Sequence, residues 1–158
     1  MNLSGKIKII FFSFIIILID QFSKIIILYI LGFDKTLNII PNLLNFTLVR
    51  NRGAAFSLFS NSTTLLTIIS IIASVFIIII ILRYPPRSNL NLTGLVYLLG
   101  GTLGNGIDRI SKGYVLDFLE LVPFDFPIFN IADISINIAI LYFMIDIIKT
   151  SFQSKNKY

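Results

Sequence analysis

Asp117 and Asp133 flank a short loop in a chain that has no histidine and no cysteine. Without those residues the commonest general base, the commonest zinc ligand and every thiolate nucleophile are missing. Any chemistry must therefore use carboxylates, Lys24, hydroxyls or water. Two carboxylates that share a site cannot both ionise easily, so one keeps a proton and acts as acid while the other acts as base. That pairing points to aspartyl hydrolysis. The alternatives are bland: Asp117 could be an interfacial loop charge, and Asp133 the N-cap of a helix.

The polar residues around the pair are concentrated in a few short stretches. Gly100-Gly101-Thr102-Leu103-Gly104-Asn105-Gly106-Ile107-Asp108-Arg109 precedes Val115-Leu116-Asp117-Phe118, and Phe126-Pro127-Ile128-Phe129-Asn130-Ile131-Ala132-Asp133 follows it. Asn105, Asp108 and Arg109 share a helix face by spacing, and Arg109 could neutralise Asp108 or hold a ligand carbonyl or phosphate in its planar fork. Asn130, Asp133 and Asn137 read as a polar stripe pointing into a bundle. Asp108 and Asp117 would lie on opposite faces of an unbroken helix and could meet only if Gly113 ended it. Asp20 and Lys24, four apart, read as a buried ion pair between helices, with a Ser–Lys catalytic pair as the alternative. Gly100, Gly101 and Gly104 form a small-residue face for close helix packing.

These groups must be positioned by membrane-spanning elements. The chain has 158 residues and is 56% hydrophobic, with a mean hydropathy of +0.90, above the usual soluble range. Apolar runs near 7–31, 63–82, 90–108 and 133–148 are each about long enough to cross a hydrocarbon core of about 30 Å. The expected fold is all-α and integral to the membrane: four transmembrane helices in one domain over 1–158, with a small extracytoplasmic sheet. The run Leu44-Asn45-Phe46-Thr47-Leu48 alternates as a strand does, and Leu37-Asn38-Ile39 alternates before the turn signal Pro41-Asn42. Gly53-Ala54-Ala55-Phe56-Ser57 follows, with side chains small enough to admit another backbone.

Lys6, Lys8, Arg83, Arg87, Lys149, Lys155 and Lys157 flank the runs on one side, and no acid lies in the short connection or the tails there. The excess of basic residues on short connections sets the cytoplasmic side. Both termini are expected to be cytoplasmic, and the segments 32–62 and 109–132, with all the candidate chemistry, extracytoplasmic. The net charge of +5 sits at span ends and forms no basic stripe, which argues against nucleic-acid binding. A transport or ion-conducting subunit would want polar groups through the whole bilayer depth. Here they collect at one face, and the second run carries no charge.

In order along the chain, Asp20-Gln21-Phe22-Ser23-Lys24, Asn51-Arg52-Gly53-Ala54-Ala55-Phe56-Ser57, the Gly100–Arg109 stretch, Val115–Phe118 and Phe126–Asp133 resemble the motif blocks of the bacterial lipoprotein signal peptidases (signal peptidase II). The resemblance implies an aspartic endopeptidase of the bacterial cytoplasmic membrane that needs no cofactor or metal. It would cut prolipoproteins before the lipobox cysteine once that cysteine carries diacylglycerol. It further implies Asp117 and Asp133 as catalytic residues and Asn51, Gly53, Asn105, Arg109 and Asn130 as substrate-binding. Asp20, Lys24, Asp108 and Asn137 would be supporting residues. Membrane lipid and the lipidated prolipoprotein are the expected partners, the expected state is a monomer, and cyclic peptides of the globomycin type are the expected inhibitors.

Overall fold

The computed structural model describes residues 3–53, 63–84, 86, 88–124 and 126–155. Ala54-Ala55-Phe56-Ser57 and Arg87, singled out above, lie outside the described residues. In chain order the elements are α1 (Leu3–Leu31), β1 (Thr36–Ile40), β2 (Leu44–Asn51), α2 (Thr63–Arg83), α3 (Asn89–Lys112), β3 (Val115–Leu121) and α4 (Ile131–Lys155). Each of the four apolar runs is a helix, and three of them, α1, α2 and α4, are long and apolar enough to cross a membrane. Their large outward side chains, such as Phe11, Phe14, Ile72, Phe76 and Ile147, are apolar and exposed. That inverted surface is what a lipid solvent selects.

The less apolar helix, α3, lies at the centre and packs against the other three. Leu95, Val96 and Leu99 join Ile9 of α1 and Ile77 and Ile81 of α2 in one apolar core. Near its other end α3 buries Gly100, Gly101, Gly104, Asn105 and Asp108. A central helix can carry polar groups because protein, not lipid, surrounds them. The glycines allow the approach. A methyl group at Gly101 would fall 2.5 Å from the Ala132 carbonyl oxygen, and one at Gly104 would fall 2.8 Å from Asp20 Oδ2. On the facing side α4 buries Ala132, Ser135 and Ala139, so small residues line both sides of the contact.

The sheet is antiparallel in the order β1-β2-β3. Its first two strands are those the alternation anticipates, joined at Asn42, whose φ is +58°, a left-handed value that asparagine tolerates well. The third strand is an addition to the expected fold. It forms because Gly113, at φ +75°, closes α3 in a left-handed cap and donates its N–H to the Arg109 carbonyl, as helix-ending glycines do. The chain then reverses along β2. Val115 pairs with Asn51 and Asp117 with Val49. On its other side Leu119 bridges to Phe129, which delivers Asn130 and the start of α4 beside Asp117. Ile27, Leu48, Leu116, Phe118 and Leu119 form the apolar core between the sheet and the helix ends.

Gly101→Ala is expected to cost about 1–3 kcal/mol, as overpacking of a tight core does. Gly106→Ala, where the nearest atom would be a comfortable 3.8 Å away, should be neutral or slightly stabilising, since glycine weakens a helix interior. Thermal midpoints in detergent compare the two. Equal behaviour would mean that the α3–α4 contact is looser than described.

Candidate active site

Asn130 organises the site. Its side-chain oxygen accepts the Asp133 backbone N–H at 3.0 Å, and its own backbone N–H donates to Asp133 Oδ2 at 3.2 Å. This reciprocal capping box starts α4. The alternative reading of Asp133 as the N-cap is corrected: Asn130 caps the helix, and Asp133 sits three residues in, with its carboxylate turned back to the N-terminus. The amide nitrogen of Asn130 also donates to Asp117 Oδ1 at 2.6 Å. One asparagine therefore holds both aspartates, and β3 and α4 meet through it.

Two further amides complete the cluster. Asn51 Nδ2 donates to Asp117 Oδ2 at 2.7 Å, while Asn51 Oδ1 accepts the Gly53 N–H at 2.9 Å. Asn105 Nδ2 donates to Asp133 Oδ1 at 2.7 Å. Asn105 Oδ1 accepts from Asn130 Nδ2 at 3.0 Å and from Lys24 Nζ at 3.2 Å. Each amide oxygen is thus occupied by an N–H donor, which forces each NH₂ group toward a carboxylate. Asp117 is buried and Asp133 half-buried. Burial, reinforced by the nearby Asp133 charge, pushes the Asp117 carboxyl up to about 7, although Asn51 and Asn130 pull it the other way. Since that value lies above the ordinary 3.8, Asp117 favours the fold at low pH. Its contribution fades as pH rises through about 7.

Beneath the pair lies a second cluster. Lys24 is fully buried with Asp20 Oδ2 at 2.8 Å and Asp108 Oδ2 at 2.9 Å, and Lys112 meets Asp108 Oδ1 at 2.6 Å. The ion-pair reading of Asp20 and Lys24 holds and extends to Asp108. Among the described residues no Ser–Lys pair forms: Lys24 is occupied by Asp20, Asp108 and Asn105, and Ser23 Oγ donates to the Asp20 carbonyl. Asp20 also accepts the Ala132 N–H at 2.9 Å, and Asp108 accepts the Leu116 N–H at 3.2 Å. Gly113 does end α3, so Asp108 reaches the strand that carries Asp117.

Two expectations are corrected. Arg109 does not neutralise Asp108: its Nη1 donates across to Ser70 Oγ on α2 at 3.1 Å, because Lys24 and Lys112 already occupy both oxygens of Asp108. Asn137 does not join a polar stripe into the bundle, and it is exposed. Its position is about 200° around α4 from Ser135, and the inward face belongs to Ala132, Ser135 and Ala139. Ser70 and Gln21 are the polar partners that sequence reasoning missed. Gln21 Nε2 donates to Asp20 Oδ2 and to the Gly104 carbonyl. Nothing in the local sequence around Ser70 sets it apart from Ser74 one turn on.

A family model described as signal peptidase (SPase) II matches residues 12–149. The chain belongs to the signal peptidase II family. It is 41% identical over 142 residues to the lipoprotein signal peptidase of Parasynechococcus marenigrum (strain WH8102), covering 90% of this chain and 89% of that one. Identity to the lipoprotein signal peptidase of Synechococcus sp. (strain RCC307) is 45% over 135 residues, covering 85% and 89%. A solved bacterial membrane enzyme structure, determined by the in meso method at 2.3 Å, superposes with a TM-score of 0.84 at 32% identity over 91% of this chain and 89% of that chain. This signal peptidase II chain is a multi-pass bacterial membrane protein and a protease of that family.

Removing Lys24 would leave two buried carboxylates facing each other. Lys24→Met is expected to cost about 3–5 kcal/mol, the usual range for breaking a buried pair. Adding Asp20→Asn should recover more than adding Asp20→Leu, because only the amide can still accept the Ala132 N–H. The comparison is the thermal midpoint in detergent. A Lys24→Met protein as stable as the parent would mean that the cluster carries no structural load.

Proposed function

We propose that this chain is an aspartic endopeptidase that removes the signal peptide from diacylglyceryl-modified prolipoproteins, cutting before the lipobox cysteine, with Asp117 and Asp133 as the catalytic pair. The observation that carries the reading is the convergence of both carboxylates on Asn130, with amide donors aimed at each. In this mechanism Asp133, at the positive end of α4, takes a proton from water as the water oxygen attacks the scissile carbonyl carbon. Asp117, in the protonated form that its burial favours, donates to the carbonyl oxygen. The tetrahedral intermediate then collapses: Asp133 passes its proton to the leaving amine, Asp117 regains one from the hydroxyl, and both carboxyls return to their starting states. Asn51, Gly53, Asn105, Asn130 and Arg109 hold the substrate backbone and steady the carboxyls, and Asp20, Lys24 and Asp108 brace them from below.

In this reading the chain is a single four-span domain. α3 is the fourth span: its 24 residues give a length of about 36 Å, and it crosses with its polar side covered by protein. The termini and the α2–α3 turn are cytoplasmic. The sheet rests on the outer surface as a cradle for an extended substrate, whose acyl chains stay in the bilayer beside the helices. The protein works as a monomer, and cyclic peptides of the globomycin type would compete for the cradle.

Asp117→Asn and Asp133→Asn should each lower turnover of a lipidated prolipoprotein by at least about 10³-fold, the middle of the range for losing an acid–base partner, while the protein stays folded. Parent activity should decline above about pH 7 as Asp117 gives up its proton. Near-normal cleavage by either folded variant would defeat the assignment. Orientation is tested separately in intact cells, with single cysteines at Tyr84 and Leu43, both exposed. An impermeant thiol reagent should label the Leu43 site and spare the Tyr84 site, and the reverse pattern would invert the topology.

A further inference from the structure

The outer end of the bundle carries a cationic group that neither cluster uses. Arg50 of β2 is exposed, and its guanidinium lies 3.6 Å from the Phe33 ring centroid and 5.9 Å from that of Tyr114. The two rings meet edge to face at 6.5 Å and pack on the apolar core under the sheet. Phe33 follows α1 and Tyr114 follows the Gly113 cap of α3, so both rings stand where those helices leave the bundle. Among the described residues, no carboxylate lies within ion-pair distance of Arg50, and its side chain makes no hydrogen bond. Stacking covers the face of a guanidinium and orients it, but leaves the N–H edge free. A planar, oriented edge with no internal acceptor is suited to bidentate contact with a phosphate oxygen pair. Lys35, also exposed and without an ion pair among the described residues, adds a second positive charge to the same turn region.

We propose that Arg50, seated on Phe33 and Tyr114, binds the phosphodiester headgroup of an anionic phospholipid in the leaflet beside the sheet. The site rests on the membrane disposition given above but not on the peptidase chemistry: Arg50 neighbours Asn51 and pairs with Leu116 beside Asp117, yet its guanidinium is seated on Phe33 and Tyr114 and holds neither aspartate. Its role is to seat the cradle against the bilayer at a set height. At a membrane surface one basic side chain contributes about 1 kcal/mol of attraction to anionic lipid, which corresponds to about a fivefold preference.

The experiment uses the full chain in nanodiscs of mixed phosphatidylcholine and phosphatidylglycerol, with retained lipid identified by native mass spectrometry. The parent should retain phosphatidylglycerol about fivefold over its share in the disc, and Arg50→Gln should fall close to parity. Tyr114→Leu, which leaves the charge but loosens its seat, should give an intermediate value and serves if Arg50→Gln folds poorly. Unchanged enrichment in both variants would overturn the proposal. A second arm adds inorganic phosphate to discs of phosphatidylcholine alone. A rise in thermal midpoint on adding phosphate that is lost in Arg50→Gln would identify free phosphate as the ligand and refute the lipid assignment.

Discussion

Lys24 is a fully buried ammonium between two fully buried carboxylates, and most of the half of the molecule that carries the sheet depends on that contact. Through Asp20 it holds the first turn of α4 by the Ala132 N–H, and through Asp108 it holds the start of β3 by the Leu116 N–H. Through Asn105 it reaches Asp133. Burying three charges is expensive unless every lone pair and proton is matched. Asp20, Lys24 and Asp108 are all paired, and among the described residues no buried side-chain nitrogen or oxygen is without a hydrogen-bond partner. The cluster fixes the relative positions of α1, α3, α4 and β3, the elements that bring the two aspartates together.

Above that base the controlling feature is the direction of amides. An asparagine beside a carboxylate can present either its oxygen or its nitrogen, and only the nitrogen is favourable. Gly53 N–H settles Asn51, Asp133 N–H settles Asn130, and Lys24 with Asn130 settles Asn105. The amide donors are therefore fixed on the two carboxylates by contacts within the fold itself. Asp117 lies on β3, where burial favours its protonated form, and Asp133 sits in the first turn of α4 with its carboxylate on the Asn130 N–H.

The membrane shapes how this is built. Lipid offers no partner for a polar group, so polar residues gather on the central helix and at span ends, and the outward surfaces of α1, α2 and α4 are left apolar. Close approach comes from glycine on α3 against alanine and serine on α4, since apolar burial gives helices little reason to associate in a solvent that is itself apolar.

Much of this was legible in the residues. Four helices, two strands, the turn at Asn42, the glycine packing face and the Asp20–Lys24 pair all follow from short-range spacing and from the cost of charge near lipid, which are local properties. Asp117 and Asp133 stood out because a chain without histidine or cysteine has few other groups to use, and the fold brings both onto Asn130. Tertiary structure decided the rest. β3 escaped because Val115–Leu121 alternates poorly, its burial on both sides being a property of its neighbours. Arg109 turned to Ser70 because other cations had already claimed Asp108, a competition between helices that no one helix records. Asn137 fell outside the site because the α3 glycines select which face of α4 turns inward. Spacing along a chain determines which residues share a face, but which face is buried depends on the partner that packs against it.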